Sequence, residues 1–446
     1  MSSEGIFALA TPLGRGAVAV IRVSGASLDG LIHDLFGRAL SPRLASLRRI
    51  RDHDGQPLDE ALALWFPGPR SFTGEDVLEL HLHGGLAVIE AVSGRLMALG
   101  LRPAEPGEFT RRAFQNGRLD LSQAEAVADL VDAETADQRR QALANLGGRL
   151  SQTGARWRTV LVRILALLEV QVDFPDEEIP AEVIDDVRGQ ILALGSEFEA
   201  AIEDRSGEAV REGFRVAVIG PPNAGKSSLV NALSGRDVGL VSDIAGTTRD
   251  VLTAEVWLGG CRLTLCDTAG VRVTEDPLEV LGVARARTTA QTADLRVLVA
   301  PMAAAAAGPP AAMDVCRPGD FLVLSKSDEV DRGPGAPPGW SEAFASVFET
   351  SMADLDTLKG LRTALELACR EGLRGGEASV VFRARHRQAL QSALTHLYRA
   401  LGVVGDRPEL AAEDVRLATR QLERLSGRVG AEEVLDVVFG QFCIGK

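Results

Sequence analysis

Residues 215 to 231 read RVAVIGPPNAGKSSLVN, and this stretch decides the fold of the chain around it. Val216, Val218 and Ile219 make a short β-branched run that predicts a buried strand, and Ser227, Ser228, Leu229 and Val230 open a helical pattern. Between them GPPNAGKS matches G-x-x-x-x-G-K-S. In that motif a glycine-rich strand-to-helix turn aims backbone amides at phosphate oxygens. Gly220 and Gly225 permit the turn, Lys226 sets its ammonium on the β and γ oxygens, and Ser227 offers its hydroxyl to Mg²⁺, with Asn223, Ala224 and Ser228 completing the wall. A turn so built takes a nucleoside triphosphate.

Three more segments follow in order. DIAGTTRD (243 to 250) reads as a switch loop, in which Ser242, Asp243, Ile244, Ala245, Gly246, Thr247 and Thr248 would lie against the nucleotide and Thr248 would give a second hydroxyl to Mg²⁺. LTLCDTAG (263 to 270) is a strand delivering Asp267 toward the metal, followed by Thr268, Ala269 and Gly270, whose backbone amide can donate to the γ-phosphate. FLVLSKSD (321 to 328) ends a further buried strand with Ser325, Lys326 and Asp328. A carboxylate there accepts from both N1–H and the exocyclic amine of guanine, a donor pair that adenine lacks. GTP is therefore the expected nucleotide.

This ordered set resembles the translation-factor-like GTPases, with departures. Ser325 stands where their N-K-x-D motif has Asn, and serine is expected to be too short to reach the base and brace the phosphate loop equally well, which would weaken nucleotide affinity. Ser351 in ETSMAD matches the first residue of their S-A-K loop, with Met352 in place of Ala.

With 446 residues the chain has room for two to four domains with real cores. Aromatic residues make up only 4%, with a single Tyr, against 46% hydrophobic overall, so those cores must be built from Leu, Val and Ala. A net charge of -14 argues against a protein that coats nucleic acid by charge alone. The five cysteines, Cys261, Cys266, Cys316, Cys369 and Cys443, include no C-x-x-C pair, which speaks for a reducing compartment and against a zinc or disulfide framework. No signal peptide opens the sequence, and the longest apolar stretch, 295 to 313, is broken by Pro301, Pro309 and Pro310. A cytoplasmic protein without a membrane span is expected.

The flanks of the nucleotide segment differ in texture. Residues 1 to 118 mix strand patterns (GAVAVIRVSG, ALALWFPGP, DVLELHLHGG) with a helical one, LAVIEAVSGRLMALG, and read as an α+β domain. In DVLELHLHGG the alternation predicts Glu79, His81 and His83 on one face, with Val77, Leu78, Leu80 and Leu82 turned partly to the core. From 119 the pattern is helical: Ser122 and Glu125 suggest a capping box, and DFPDEEIPAE punctuates two long amphipathic segments. Helical patterns return after LRGGEAS. The expected architecture is an α+β domain over 1–118, a helical domain made of 119–212 and 374–446, and an α/β P-loop (Ras-like) domain over 213–373 inserted into it.

ATPLGRGAVAVIRVSG, PGEFTRRAFQNGRLDLSQAEAVADLVDA, DFPDEEI, the inserted PNAGKSSLVNAL and DIAGTTRDV, and the terminal FCIGK together resemble the MnmE (TrmE) family of bacterial tRNA-modification GTPases along nearly the whole chain. The resemblance implies a homodimer that works with the flavoprotein MnmG, which carries FAD, as a heterotetramer. Together they add an aminomethyl or carboxymethylaminomethyl group at C5 of the wobble uridine, position 34, of certain tRNAs. It further implies 5-formyltetrahydrofolate or a related folate as one-carbon source, with glycine or ammonium supplying nitrogen. The implied folate contacts are Arg22, Glu79, Arg118, where the family often has Lys, and the terminal Lys446; Cys443 matches a family thiol linked to the modification chemistry. Read by themselves, these four charges also fit plain exposed residues, and Cys443 a small buried hydrophobe.

Hydrolysis poses its own problem. Many GTPases carry after D-T-A-G a Gln that orients the attacking water, but here the residue is Val271, which cannot hydrogen-bond. The resemblance implies K⁺ beside the phosphates, held by Asn223, Ser242, Ile244 and Thr247, and Glu279 in DPLEVLG as the water-orienting carboxylate, with Lys226 and Thr248 completing the catalytic set. Arg249 and Arg272 flank the switches as fallback charge donors. The nucleotide domain alone would equally suit a regulatory or ribosome-assembly GTPase without modification chemistry; the N-terminal domain and the FCIGK tail separate the two readings.

Overall fold

The computed structural model describes residues 4–173, 181–234, 252–267, 287–307, 310–330, 340–376, 378–427, 438–440, 442 and 444–445. The chain divides into two compact units, one of residues 1–132, 142–199 and 388–446, the other of residues 133–141 and 200–387.

The first unit opens with a six-stranded sheet. Its strands are β1 (Ile6–Leu9), β2 (Val18–Gly25), β3 (Ser46–Arg51), β4 (Pro57–Phe66), β5 (Asp76–His83) and β6 (Arg102–Pro103), in the spatial order β3-β4-β5-β2-β1-β6. All neighbours are antiparallel except β1 and β6. The period-two pattern of β5 does what it predicts: Val77, Leu78, Leu80 and Leu82 are buried, while Glu79 and His81 are half-buried and His83 is exposed. Ile21, Val23, Leu78, Leu80, Ala61 and Ala63 form one core with Ile32 and Leu35 of the Asp29–Phe36 helix and Val92 and Leu96 of the Leu86–Ala98 helix. The opposite face keeps Arg22 and Glu79. The edge strand β3 reads SLRRIR, and its charges protect an unpaired edge from pairing with another chain.

A charged cluster ties the Glu108–Gln115 helix to this sheet. Glu108 accepts from Arg102 Nη2 at 2.7 Å and from Arg112 Nη2 at 2.9 Å, and Arg112 Nη1 reaches Glu75 Oε2 at 2.9 Å. Glu75 Oε2 also accepts from Ser24 Oγ at 2.8 Å. Burial pushes the Glu108 carboxyl up, but hydrogen bonds from Arg102, the Glu105 amide and Arg112 outweigh it and hold the group at about 2.

The helices behind the sheet begin differently from expectation. The Leu121–Val131 helix is capped by Asp120, whose side chain accepts from Gln123 N at 2.9 Å while Gln123 Oε1 accepts from Asp120 N at 3.0 Å. The capping box is therefore D-x-x-Q, two residues earlier than Ser122 and Glu125, which are both buried within the helix. The physical reason is that Asp120 sits extended at the true N-terminus, where a carboxylate outcompetes a hydroxyl for the first amides. The Arg149–Asp173 helix packs along the Pro408–Ser426 helix, with Arg158 bonded to Glu423 at 3.0 Å and Arg416 to Glu169 at 2.9 Å. Tyr398, on the Ala384–Val403 helix, donates to Glu199 at 2.6 Å. Segments more than 200 residues apart in sequence thus form one helical body.

The second unit holds a six-stranded sheet of β7 (Phe214–Ile219), β8 (Leu252–Leu258), β9 (Cys261–Asp267), β10 (Leu295–Pro301), β11 (Phe321–Ser325) and β12 (Ser346–Glu349). Their order is β12-β11-β10-β7-β9-β8, parallel except for the β8–β9 hairpin. One face packs Val216, Val218, Val297, Val299 and Val323 against Leu229 and Leu233 of the Lys226–Ser234 helix and Leu361 and Leu365 of the Lys359–Gly372 helix. The other buries Ala217, Ile219, Leu298, Leu322 and Leu324. Strands covered on both faces explain their continuous Val and Leu runs. The first seven residues of the apolar stretch 295–313 are simply β10. Where the chain enters and leaves this unit, the buried Gln141 amide donates to Gly207 O at 2.9 Å and Gly376 O at 3.0 Å.

The Glu108 cluster sets a pH-dependent stability. Because the folded-state value is depressed below the ordinary 4.5, its contribution is present above about pH 4.5 and is lost as pH falls toward about 2. Glu108→Gln should lower unfolding free energy at pH 7 by roughly 2–3 kcal/mol, less than the full shift because Arg102 is partly exposed. Urea titrations of both proteins at pH 7 and pH 4 check this; a gap that does not narrow at the lower pH refutes it.

Candidate functional site

The phosphate loop leaves β7 at Ile219 and meets the Lys226–Ser234 helix within six residues. A β-carbon on Gly220 (φ +148°) would lie 2.1 Å from Val299 O, so the loop passes too close to β10 for any other residue. Gly225 (φ +92°) and Asn223 (φ +60°) also take left-handed backbone, with the Asn223 side chain exposed. Asparagine tolerates that region better than other L-residues. Lys226 is buried, and its Nζ donates to Gly220 O at 3.1 Å and Pro221 O at 3.0 Å, which places the ammonium inside the curve of the loop. Ser227 and Ser228 are exposed on the first helical turn. β9 pairs Asp267 with Val218, two residues before Gly220.

Ser325 corrects an expectation. Its Oγ is buried and donates to Ala224 O at 2.6 Å, so serine does brace the phosphate loop. A β-carbon on Gly225 would lie 3.8 Å from Ser325 Cβ, so loop and strand end are close enough for a one-carbon side chain to reach. Beyond it, Lys326 (φ +58°) pairs with Glu329 at 3.2 Å, and the exposed Asp328 accepts from Ser351 Oγ at 2.5 Å. That bond holds the Asp328 carboxyl below its usual range. The resemblance of ETSMAD to the S-A-K loop thus coincides with a contact between Ser351 and the Asp328 carboxylate. Ser242, Asp243, Ile244, Ala245, Gly246, Thr247, Thr248, Arg249, Thr268, Ala269, Gly270, Val271, Arg272 and Glu279 lie outside the described residues, as does the Asp267 side chain.

In the first unit, Arg22 and Glu79 are direct cross-strand partners on β2 and β5. Arg22 Nη2 and Nε donate to Glu79 Oε1 at 2.9 and 3.1 Å, and the guanidinium lies over Phe72 and Phe109, 5.5 and 6.0 Å from the ring centroids. Glu79 Oε2 lies 3.7 Å from His81 Nε2, a buried nitrogen without a hydrogen-bond partner. The stem of Arg118 packs where a Gly74 β-carbon would be, two residues past Phe72. Gly445 lies against Leu9 and Ala10 at the end of β1, the strand that pairs Ala8 with Arg22. Lys446 and Cys443 lie outside the described residues. The residue spacing alone did not reveal that Arg22 and Glu79 bind each other; the strand register was the missing information. The four described cysteines, Cys261, Cys266, Cys316 and Cys369, are free, and no group of metal-binding side chains occurs among the described residues. No described helix is long and apolar enough to cross a membrane.

Residues 5–118 match the family described as GTP-binding protein TrmE N-terminus, and residues 121–443 match the MnmE helical domain. The tRNA modification GTPase MnmE of Caulobacter vibrioides is 50% identical, covering 100% of both chains, and that of Phenylobacterium zucineum is 49% identical with the same coverage. The G domain of the T. maritima FeoB iron transporter is 23% identical with a TM-score of 0.26, covering 34% of this chain and 97% of that one. The chain is thus a P-loop GTPase whose nucleotide domain is set within a helical domain and joined to an α+β domain. It belongs to the MnmE (TrmE) family of tRNA modification GTPases.

Losing the Ser325 brace would leave Ala224 O unpaired in a buried position. Ser325→Ala should weaken GDP binding about fivefold, the equivalent of one hydrogen bond of about 1 kcal/mol. Titration with a fluorescent GDP analogue tests it, and unchanged affinity would show that the contact carries no load.

Proposed function

We propose that the chain is a potassium-activated GTPase that acts with the flavoprotein MnmG to add an aminomethyl or carboxymethylaminomethyl group to C5 of the wobble uridine of certain tRNAs. The observation that carries the hydrolytic half is Asn223, held in left-handed backbone at the phosphate loop with its side chain exposed. An amide oxygen so placed suits a weakly hydrated monovalent cation, whose ligand set would be completed by Ser242, Ile244 and Thr247. Such a cation supplies positive charge where the phosphates develop negative charge, which Val271 cannot do. Lys226, at the inner curve of the loop, neutralises the phosphates, and Ser227 with Thr248 is suited to hold Mg²⁺. Asp267 supports that metal, Glu279 orients water, and the exposed carboxylate of Asp328, braced by Ser351, reads guanine. GTP binding would bring two nucleotide domains of a homodimer together, and hydrolysis would release them.

The folate half rests on the Arg22–Glu79 pair. Its carboxylate faces away from the core beside two aromatic rings and His81, a setting that fits the amino and ring N–H groups of a pterin. The stem of Arg118 packs against Gly74 near the same sheet, where its cation would meet a folate carboxylate, and Lys446 would supply a second cation. Domains over 1–118, 119–212 with 374–446, and 213–373 divide these tasks, the cytoplasm being the site of action.

Steady-state GTP hydrolysis in K⁺ and then Na⁺ at matched ionic strength tests the cation. At least about tenfold stimulation by K⁺ is expected, equivalent to about 1.4 kcal/mol of barrier, and Asn223→Ala should abolish it. Equal rates in the two salts would exclude cation-assisted hydrolysis.

A further inference from the structure

Behind the base-reading carboxylate lies a closed ring of hydrogen bonds that involves a residue with no assigned role. Thr357 Oγ1 accepts from Ser351 N at 3.0 Å and donates to Asp354 O at 2.6 Å, within the turn that starts the Leu355–Leu358 3₁₀ segment. Ser351 Oγ accepts from Ala353 N at 3.0 Å and donates to Asp328 Oδ1 at 2.5 Å. The direction of every bond is determined. The Thr357 proton is committed to a carbonyl, so its oxygen must accept from Ser351; the Ser351 oxygen takes the Ala353 amide, so its proton must go to Asp328.

We propose that Thr357 is a positioning residue for guanine recognition, acting through Ser351 to fix the plane of the Asp328 carboxylate. This rests on the reading of Asp328 as the guanine-binding group. Among the described side chains, the Ser351 hydroxyl makes the hydrogen bond that holds this exposed carboxylate, beside a bond from its own backbone amide. Ser351 in turn is buried, beside Thr350, whose N–H bonds Leu324 O at 2.8 Å and whose carbonyl accepts from Ser327 N at 3.1 Å. The two backbone bonds of Thr350 tie the 350–357 loop to the end of β11 and to the Asp328 turn. Thr357 closes the free side of that loop. Without its hydroxyl, the Ser351 amide loses its acceptor, the Ser351 hydroxyl is free to turn, and the carboxylate no longer meets N1–H and the exocyclic amine together.

The test is base discrimination. Inosine triphosphate keeps N1–H and lacks the amine, so the ratio of kcat/KM for GTP over ITP reports how well both carboxylate oxygens are aimed. Thr357→Val, nearly isosteric without the hydroxyl, should lower that ratio at least fivefold by raising KM for GTP, while kcat at saturation and Tm stay near wild type. Thr357→Ser should restore the ratio to within twofold. A Thr357→Val protein that keeps the wild-type ratio overturns the proposal, as does a Thr357→Ser protein that behaves like the Val variant. Asp328→Asn, measured in parallel, should move preference toward xanthosine triphosphate; if it does not, the guanine reading itself fails and takes the Thr357 role with it.

Discussion

Everything in the nucleotide unit follows from how closely the phosphate loop lies against its sheet. Gly220 crosses β10 at a distance that admits no β-carbon, and Ala224 hangs by its carbonyl from the buried hydroxyl of Ser325. Two neighbouring strands, β10 and β11, thereby fix a loop of six residues from both ends. The strands can do this because they are parallel, fully buried and rich in Val and Leu, so their C-terminal ends are held in a rigid layer. An anion site made of backbone amides needs this rigidity, since amides that can turn away lose the advantage of being aimed beforehand. Lys226, buried and bonded to loop carbonyls, is placed by the same geometry.

The first unit solves a different problem with the same economy of parts. One sheet face is sealed against two helices, and the other gathers Arg22, stacked with two phenylalanine rings, beside Glu79 and His81. Pairing Arg22 with Glu79 lowers the cost of half-burying either charge, and the pair leaves the second carboxylate oxygen 3.7 Å from His81 Nε2. Close by, Arg102, Glu108, Arg112 and Glu75 interlock a helix with β6 and with the residue before β5 through charge-assisted bonds. Polar pairs carry much of the registration here, as befits a chain with so few aromatic side chains.

Motifs with a mechanism were legible in the sequence; distances between segments were not. GPPNAGKS between a β-branched run and a helical pattern identified strand, loop and helix, and the alternation in DVLELHLH placed Glu79 and His81 on the open face. Ser325 was misjudged because side-chain length was weighed without knowing that β11 ends beside the loop. Capping was read two residues late, since LDLSQAE contains two overlapping signals and only backbone conformation decides that Asp120 is extended. The roles of Thr357 and Gln141 left no signal at all: each acts through a side chain reaching carbonyls or amides whose proximity depends on tertiary structure.

Gln141 carries a consequence for how such a chain can be assembled. Its one amide nitrogen bonds the carbonyls of Gly207 and Gly376, so two points of the second unit that flank its sheet in sequence are within a single side chain of each other. Neither glycine has room for a β-carbon, Gly207 against Val381 O and Gly376 against Ser206 O, which keeps the two backbones in contact. Some 170 residues therefore form a loop whose ends lie side by side. Loop-closure entropy rises only with the logarithm of length, and here the ends are already joined, so a whole enzyme domain can be spliced into a helical protein at the entropic cost of a turn.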